Sequence, residues 1–143
     1  MHTINHILDH KGREVASLAP HHTVREALRM MAYQGIGSIV VTDEKGLLGI
    51  MTERDYARKV ALLDRTSANT PIGDIMSPAE CIDLHATLQE AMQQVTRSRT
   101  RHLVVLNGNA IEGVVSIGDL VNAVIQEQAL EIEHLSRYLL LGR

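Results

Sequence analysis

The chain has 143 residues, 45% of them hydrophobic and 22% charged, which fits one ordinary globular domain or two small units sharing a core and excludes a disordered chain. A formal net charge of -3 removes the long-range attraction to nucleic acid that a basic protein has, and an aromatic content of 2%, confined to Tyr33, Tyr56 and Tyr138, leaves no base-stacking platform. The single cysteine, Cys81, rules out an intrachain disulfide and fits a reducing compartment. The start, Met1-His2-Thr3-Ile4-Asn5-His6, lacks a signal-peptide stretch and no apolar run nears the ~20 residues of a membrane span, so a cytoplasmic protein without membrane contact is expected.

Residues 1–13 are expected to form an N-terminal helix and linker, with His2, His6 and His10 spaced to line one helix face. No cysteine or carboxylate is locked beside them to finish a coordination sphere, so a solvated face is expected there and no metal. Residues 14–66 read as one unit. A strand at Glu14–Leu18 precedes a helix that starts at Thr23, whose spacing to Glu26 is that of a capping box, and carries an apolar stripe through Val24, Ala27, Leu28 and Met31. Strands at Ser38–Val41 and Leu47–Met51 flank the turn residues Asp43-Glu44-Lys45-Gly46, and a second helix begins at Thr52.

After a linker at 67–79, residues 80–126 repeat that order: strand Glu80–Leu84, a helix started by Thr87 and Glu90, strands His102–Leu106 and Ile111–Val115 around Asn107-Gly108-Asn109, and a helix from Ser116. From Leu120 to Leu141 there is neither Pro nor Gly, and Val121, Val124, Ile125, Ile132, Leu135, Tyr138 and Leu139 keep helical spacing, so a C-terminal helix over 127–143 is expected. That is more apolar stripe than a small unit needs, and it points either to a partner subunit or to docking on the chain's own core.

Shifted by 64 positions, residues 18–60 overlay 82–124 without a gap, with identities that include His21/His85, Thr23/Thr87, Ala27/Ala91, Gly49/Gly113 and Asp55/Asp119. The linkers echo each other as well, Ile4-x-x-Ile7-Leu8 recurring as Ile72-x-x-Ile75-Met76. A unit of this size buries too little surface alone, so two β-α-β-β-α units should pack together, an α+β fold with flanking N- and C-terminal helices.

Each unit ends its hairpin in the same phrase, Gly49-Ile50-Met51-Thr52-Glu53-Arg54-Asp55 and Gly113-Val114-Val115-Ser116-Ile117-Gly118-Asp119. Thr52 and Ser116 fall where a hydroxyl caps a helix, beside amides that suit a phosphate, and Asp55 and Asp119 offer a carboxylate that accepts from both hydroxyls of a ribose. The same pattern is also an ordinary capping box that needs no ligand.

With two such phrases in register at the ends of two β-α-β-β-α units, the chain resembles a pair of CBS domains over about residues 14–126, of the stand-alone bacterial type. The resemblance implies units packed as a pseudo-twofold pair and an adenosine-containing ligand (AMP, ADP, ATP, NAD or S-adenosylmethionine) in clefts between them. It implies that Asp55 and Asp119 hold the ribose, that Thr52 and Ser116 lie near the phosphate, and that the chain works as a homodimer signalling energy or redox state to a separate regulated protein.

Matching positions in such pairs contact phosphate, which brings in Arg99, Arg101 and His102 of the second unit; a solvated basic edge is the other reading. Gly35, Gly37 and Ser38 stand there in the first unit, so the two clefts should differ chemically. Arg54 either reaches a phosphate or pairs with Glu53 or Asp55. Cys81, on a strand beside the implied adenine wall, reads as an inert thiol. No base-paired nucleophile, elbow or metal set accompanies these residues, so no catalysis is expected. The rival readings are an interaction scaffold with empty clefts and an enzyme that hydrolyses or transfers nucleotides.

Overall fold

The computed structural model describes residues 2–141. It contains two compact units, each an α+β body around a three-stranded sheet. The first is built from Glu14–Glu80 with Asn109–Ile111; the second gathers the segment ending at Arg13, Cys81–Gly108 and the chain from Glu112 onward.

In the first unit β1 (Ser17–Leu18) runs parallel to β2 (Ser38–Asp43), which pairs antiparallel with β3 (Gly46–Thr52). In the second, β4 (Cys81–Asp83) runs parallel to β5 (His102–Asn107), and β6 (Ala110–Ser116) completes the order β4-β5-β6. The strand expected over Glu14–Leu18 is shorter than its pattern suggests. Only Ser17 and Leu18 find register partners, Val40 and Val41.

Helix α1 (Ile4–Lys11) is capped by Thr3, α2 (Val24–Gln34) by Thr23 and α4 (Leu88–Ser98) by Thr87. The hydroxyls of Thr23 and Thr87 accept from the amides of Glu26 and Glu90 at 3.2 and 3.1 Å, as the spacing predicts. Helix α3 (Glu53–Tyr56) runs directly into a π-helical turn at Ala57–Ala61, whereas its counterpart α5 (Ile117–Leu141) stays α-helical for 25 residues.

The apolar stripes face inward as the periodicity requires: Val24, Ala27 and Met31 in the first core, Leu88, Ala91 and Val95 in the second. The echoed linkers prove equivalent. Ile4, Ile7 and Leu8 of α1 are buried in the second core, while Ile72 and Ile75, on and just after a 3-10 turn, are buried in the first. Each segment is pinned by a backbone bridge to the residue capping the unit's first helix, Thr3 to Thr87 and Pro71 to Thr23.

That packing explains the glycine of the repeated phrase. A Cβ on Gly49 would lie 2.7 Å from the Ser77 carbonyl oxygen and 3.2 Å from Met76 Sδ; one on Gly113 would lie 2.8 Å from Leu8 Cδ2. Glycine stands at both places so that the echoed segment can cross the hairpin closely.

Candidate functional site at the two helix starts

Strand β3 delivers Thr52, still extended at φ -118°, to the start of α3. Its amide donates to Asp55 Oδ2 at 2.9 Å, the Asp55 amide donates back to Thr52 Oγ1 at 3.2 Å, and the Thr52 hydroxyl lies 3.0 Å from the same Oδ2. This is a complete capping box. The other carboxylate oxygen is also engaged: the Ser77 hydroxyl donates to Oδ1 at 2.7 Å and Lys59 Nζ stands 3.1 Å from it. Lys59 is held there by the Ile75 carbonyl and the Ser77 hydroxyl at 2.9 and 3.0 Å. Burial pushes the Asp55 carboxyl up, but the Ser77 hydroxyl, the Thr52 amide and the Lys59 ammonium together hold it below the ordinary aspartate range.

The second unit repeats the box with a different cation. Ser116 donates its amide to Asp119 Oδ2 at 2.8 Å and its hydroxyl oxygen accepts from the Asp119 amide at 3.1 Å. Lys11, at the end of α1, donates to the same Oδ2 at 2.7 Å and to the Val114 carbonyl at 2.6 Å. Burial again raises the carboxyl, and the Lys11 and Ser116 bonds again outweigh it, leaving Asp119 ionised and below its usual range. Among the described residues Asp119 Oδ1 accepts no hydrogen bond, which distinguishes it from the fully used Asp55.

The strand ahead of each hairpin closes the helix start from the other side. The Gly37 carbonyl accepts the Glu53 amide at 3.3 Å and the Arg101 carbonyl accepts the Ile117 amide at 2.8 Å. With the third amide of each helix bound to the cap hydroxyl, the second amide, of Arg54 or Gly118, remains for an incoming acceptor. Ser38 is buried opposite Thr52 in the β2–β3 register.

Arg54 is exposed and makes no ion pair with Glu53 or Asp55 among the described residues, so the side-chain pairing weighed from the sequence does not form. Arg101 is exposed beside the start of α5, and His102 opens β5 half-buried. Arg99 serves a second purpose that the sequence did not signal. It is the left-handed C-cap of α4 at φ 55°, where α2 has Gly35 at φ 66°.

A cavity of about 300 Å³ opens beside Asp119 in the second unit, bordered by Lys11, His10, His2, Asn122 and Gln126. The first unit has a broader hollow of about 600 Å³ next to Gly37, Glu53 and Tyr56. The His6 and His10 rings stack along α1 with centroids 6.2 Å apart, His2 meets His6 edge-on at 5.6 Å, and among the described residues no group of three or more His, Cys, Asp or Glu is placed to hold a metal. Cys81 is half-buried on β4 and forms no disulfide among the described residues.

Lys59, Ser77 and Lys11 were not found from the sequence. Lys59 was legible, one helical turn after Asp55 on the same face. Ser77 and Lys11 lie outside the overlaid repeat, and nothing local marks them.

The sequence profile of the CBS domain matches residues 9–62 and 72–126. The CBS domain-containing protein CBSX3, mitochondrial, of Arabidopsis thaliana is 33% identical over 96% of this chain and 71% of its own length. The CBS domain-containing protein YhcV of Bacillus subtilis is 30% identical over 86% of this chain and 89% of its own. Among solved structures, a candidate signal-transduction protein with CBS domains from Burkholderia ambifaria superposes with a TM-score of 0.85 at 40% identity, over 89% of this chain and 96% of that one.

Proposed function

Since the chain belongs to the CBS-domain family and carries the domain twice, we propose that it is a non-catalytic regulatory module that binds an adenosine-containing nucleotide (AMP, ADP, ATP or NAD) at the starts of α3 and α5. CBS-domain proteins of this kind are generally regulatory and ligand-binding. The observation that carries the reading is the doubled helix start. Each provides an ionised carboxylate for ribose hydroxyls, Asp55 or Asp119, next to a capping hydroxyl and an open amide for phosphate, at Thr52–Arg54 or Ser116–Gly118. Arg99, Arg101 and His102 add cationic and polar donors near the second start; Gly37, Ser38 and Arg54 serve the first.

The two starts are not equally ready. Asp119 has a carboxylate oxygen to offer at once, beside a cavity at the lower end of the ~300–1,000 Å³ range of small-ligand pockets. Asp55 must first give up Ser77 or Lys59. The second unit is therefore the first to fill. Saturation of Asp55 by its own chain favours a second reading for the first unit alone, that of a scaffold with no ligand.

A homodimer and a separate regulated enzyme or protein belong to the same reading, as does a cytoplasmic setting suited to the lone thiol. Among the described residues no helix is long and apolar enough to cross a membrane.

Mass spectrometry of small molecules released from the purified protein, followed by thermal shift with AMP, ATP and NAD against GMP, tests the proposal. A ligand at 100 times its dissociation constant contributes about 2.7 kcal/mol, a readily measured shift. No adenosine compound released and none raising the melting temperature would overturn it. Turnover of a bound nucleotide would instead reveal an enzyme.

A further inference from the structure

Helix α5 serves its own core with Leu120 and Ala123, and every described side chain from Gln128 to Leu140 is exposed. On a neighbouring face stand Val121, Ile125, Ile132, Leu135 and Leu139, each between 45% and 67% exposed. Docking onto the chain's own core, the other reading of this stripe, is not what the described helix does. With Gln128 included, the spacing along this face is four, three, four, three, four, a heptad seam rather than the broader stripe of a core-facing helix.

From this we infer that α5 pairs with α5 of a second copy as a parallel, in-register, two-stranded coiled coil. The inference rests on the proposed homodimer and specifies how it forms. It does not depend on a nucleotide being bound.

The residue types select this arrangement. Ile125, Ile132 and Leu139 take one core position of the heptad and Val121, Gln128 and Leu135 the other. Isoleucine at 125 and 132 of the first position with leucine at 135 of the second suits two parallel strands, and Gln128 is the one polar residue in the seam. In a parallel pair the flanks bring Glu131 toward Ser136 of the second copy, with no like charges opposed, while Val124 packs against its own core. Antiparallel pairing centred on the same seam would face Glu131 with its own copy. The ion pair Arg137–Glu133, at 2.6 Å, lies outside the seam and stays solvated.

Sedimentation velocity on the full chain should give twice 15.8 kDa. Ile132→Glu with Leu135→Glu, both exposed within one chain and so harmless to its fold by circular dichroism, should raise the dimer dissociation constant on the order of 100-fold or more. In a Cys81→Ser background, Leu135→Cys should oxidise to a disulfide-linked dimer, because parallel in-register helices bring this residue against itself whereas an antiparallel pair centred on the same seam sets it against residue 125. A monomeric wild-type chain would overturn both the dimer and the coiled coil. A dimer indifferent to the two glutamates, or one in which Leu135→Cys never cross-links, would leave the dimer standing and overturn the parallel coiled coil.

Discussion

Replacing Asp55 with alanine should cost the fold more than the repeat-related Asp119→Ala. At Asp55 the change strands the Thr52 amide and the Thr52 and Ser77 hydroxyls, and frees Lys59. A buried donor left without an acceptor costs about 1–3 kcal/mol, less for hydroxyls that can turn elsewhere, and Lys59, with its side chain 41% exposed, adds little once it returns to water. The expected loss is about 2–4 kcal/mol. At Asp119 only the Ser116 amide is stranded, along with a 35% exposed Lys11, for a loss of about 1–2 kcal/mol. Urea denaturation followed by circular dichroism measures both.

The difference has a defined pH range. Both carboxyls are held below the ordinary value of 3.8, so each contributes stability that is complete above that value and is lost as pH falls through the depressed folded-state pKa. The gap between wild type and Asp55→Ala should therefore narrow only below about pH 3.8. Equal losses at the two positions, a larger loss at Asp119, or a gap that closes near neutrality would refute the reasoning.

Gly49→Ala should destabilise by about 2–4 kcal/mol, because the new methyl meets a backbone carbonyl and must break the paired Ile50–Ser77 hydrogen bonds; Gly113→Ala, which meets a leucine side chain, should cost about 1–2 kcal/mol, and thermal melts will rank them. Arg99→Gly should raise stability by about 0.5–1 kcal/mol by relieving a left-handed arginine, while calorimetry shows weaker nucleotide binding at the second unit; a drop in stability would contradict the C-cap assignment. Lys59→Met, which keeps the stem and removes the charge, should take away one of the two donors on Asp55 Oδ1 and tighten nucleotide binding at the first unit by about 3–10-fold, read by titration calorimetry; unchanged affinity would show that Lys59 does not compete with the ribose.

Much of this molecule could be read from its letters. The doubled phrase ending in Asp55 and Asp119, the threonine caps at 23 and 87 and the two hairpins all rest on interactions within a few residues, where spacing and side-chain chemistry determine the outcome. What escaped depends on contacts distant in sequence. The apolar pattern of Ile4, Ile7 and Leu8 announces burial but cannot say against which strands. Lys11 reaches Asp119 across more than a hundred residues, and no local rule anticipates that bond. The π-helical turn at Ala57–Ala61 is likewise unmarked, since its residues suit an ordinary helix equally well. Arg99 shows another limit: its charge drew attention to a ligand, while the backbone task it performs at the end of α4 went unnoticed.

The placement of α1 in the unit that also contains Cys81–Gly108 has a consequence for how the chain is made. A ribosome releases α1 before either sheet, with Ile4, Ile7 and Leu8 on one face and the strands that bury them still to come. The unit beginning at Glu14 comes next, and most of it, through Glu80, is continuous in sequence, so it can take shape while the rest is still being synthesised. Only when Leu103, Val105 and Val115 have emerged can α1 find its berth, closing a loop that spans the entire intervening unit. A helix made ahead of both sheets is thus among the last to be seated, and nascent chains stalled short of β5 should display an apolar α1 to any chaperone that scans for one.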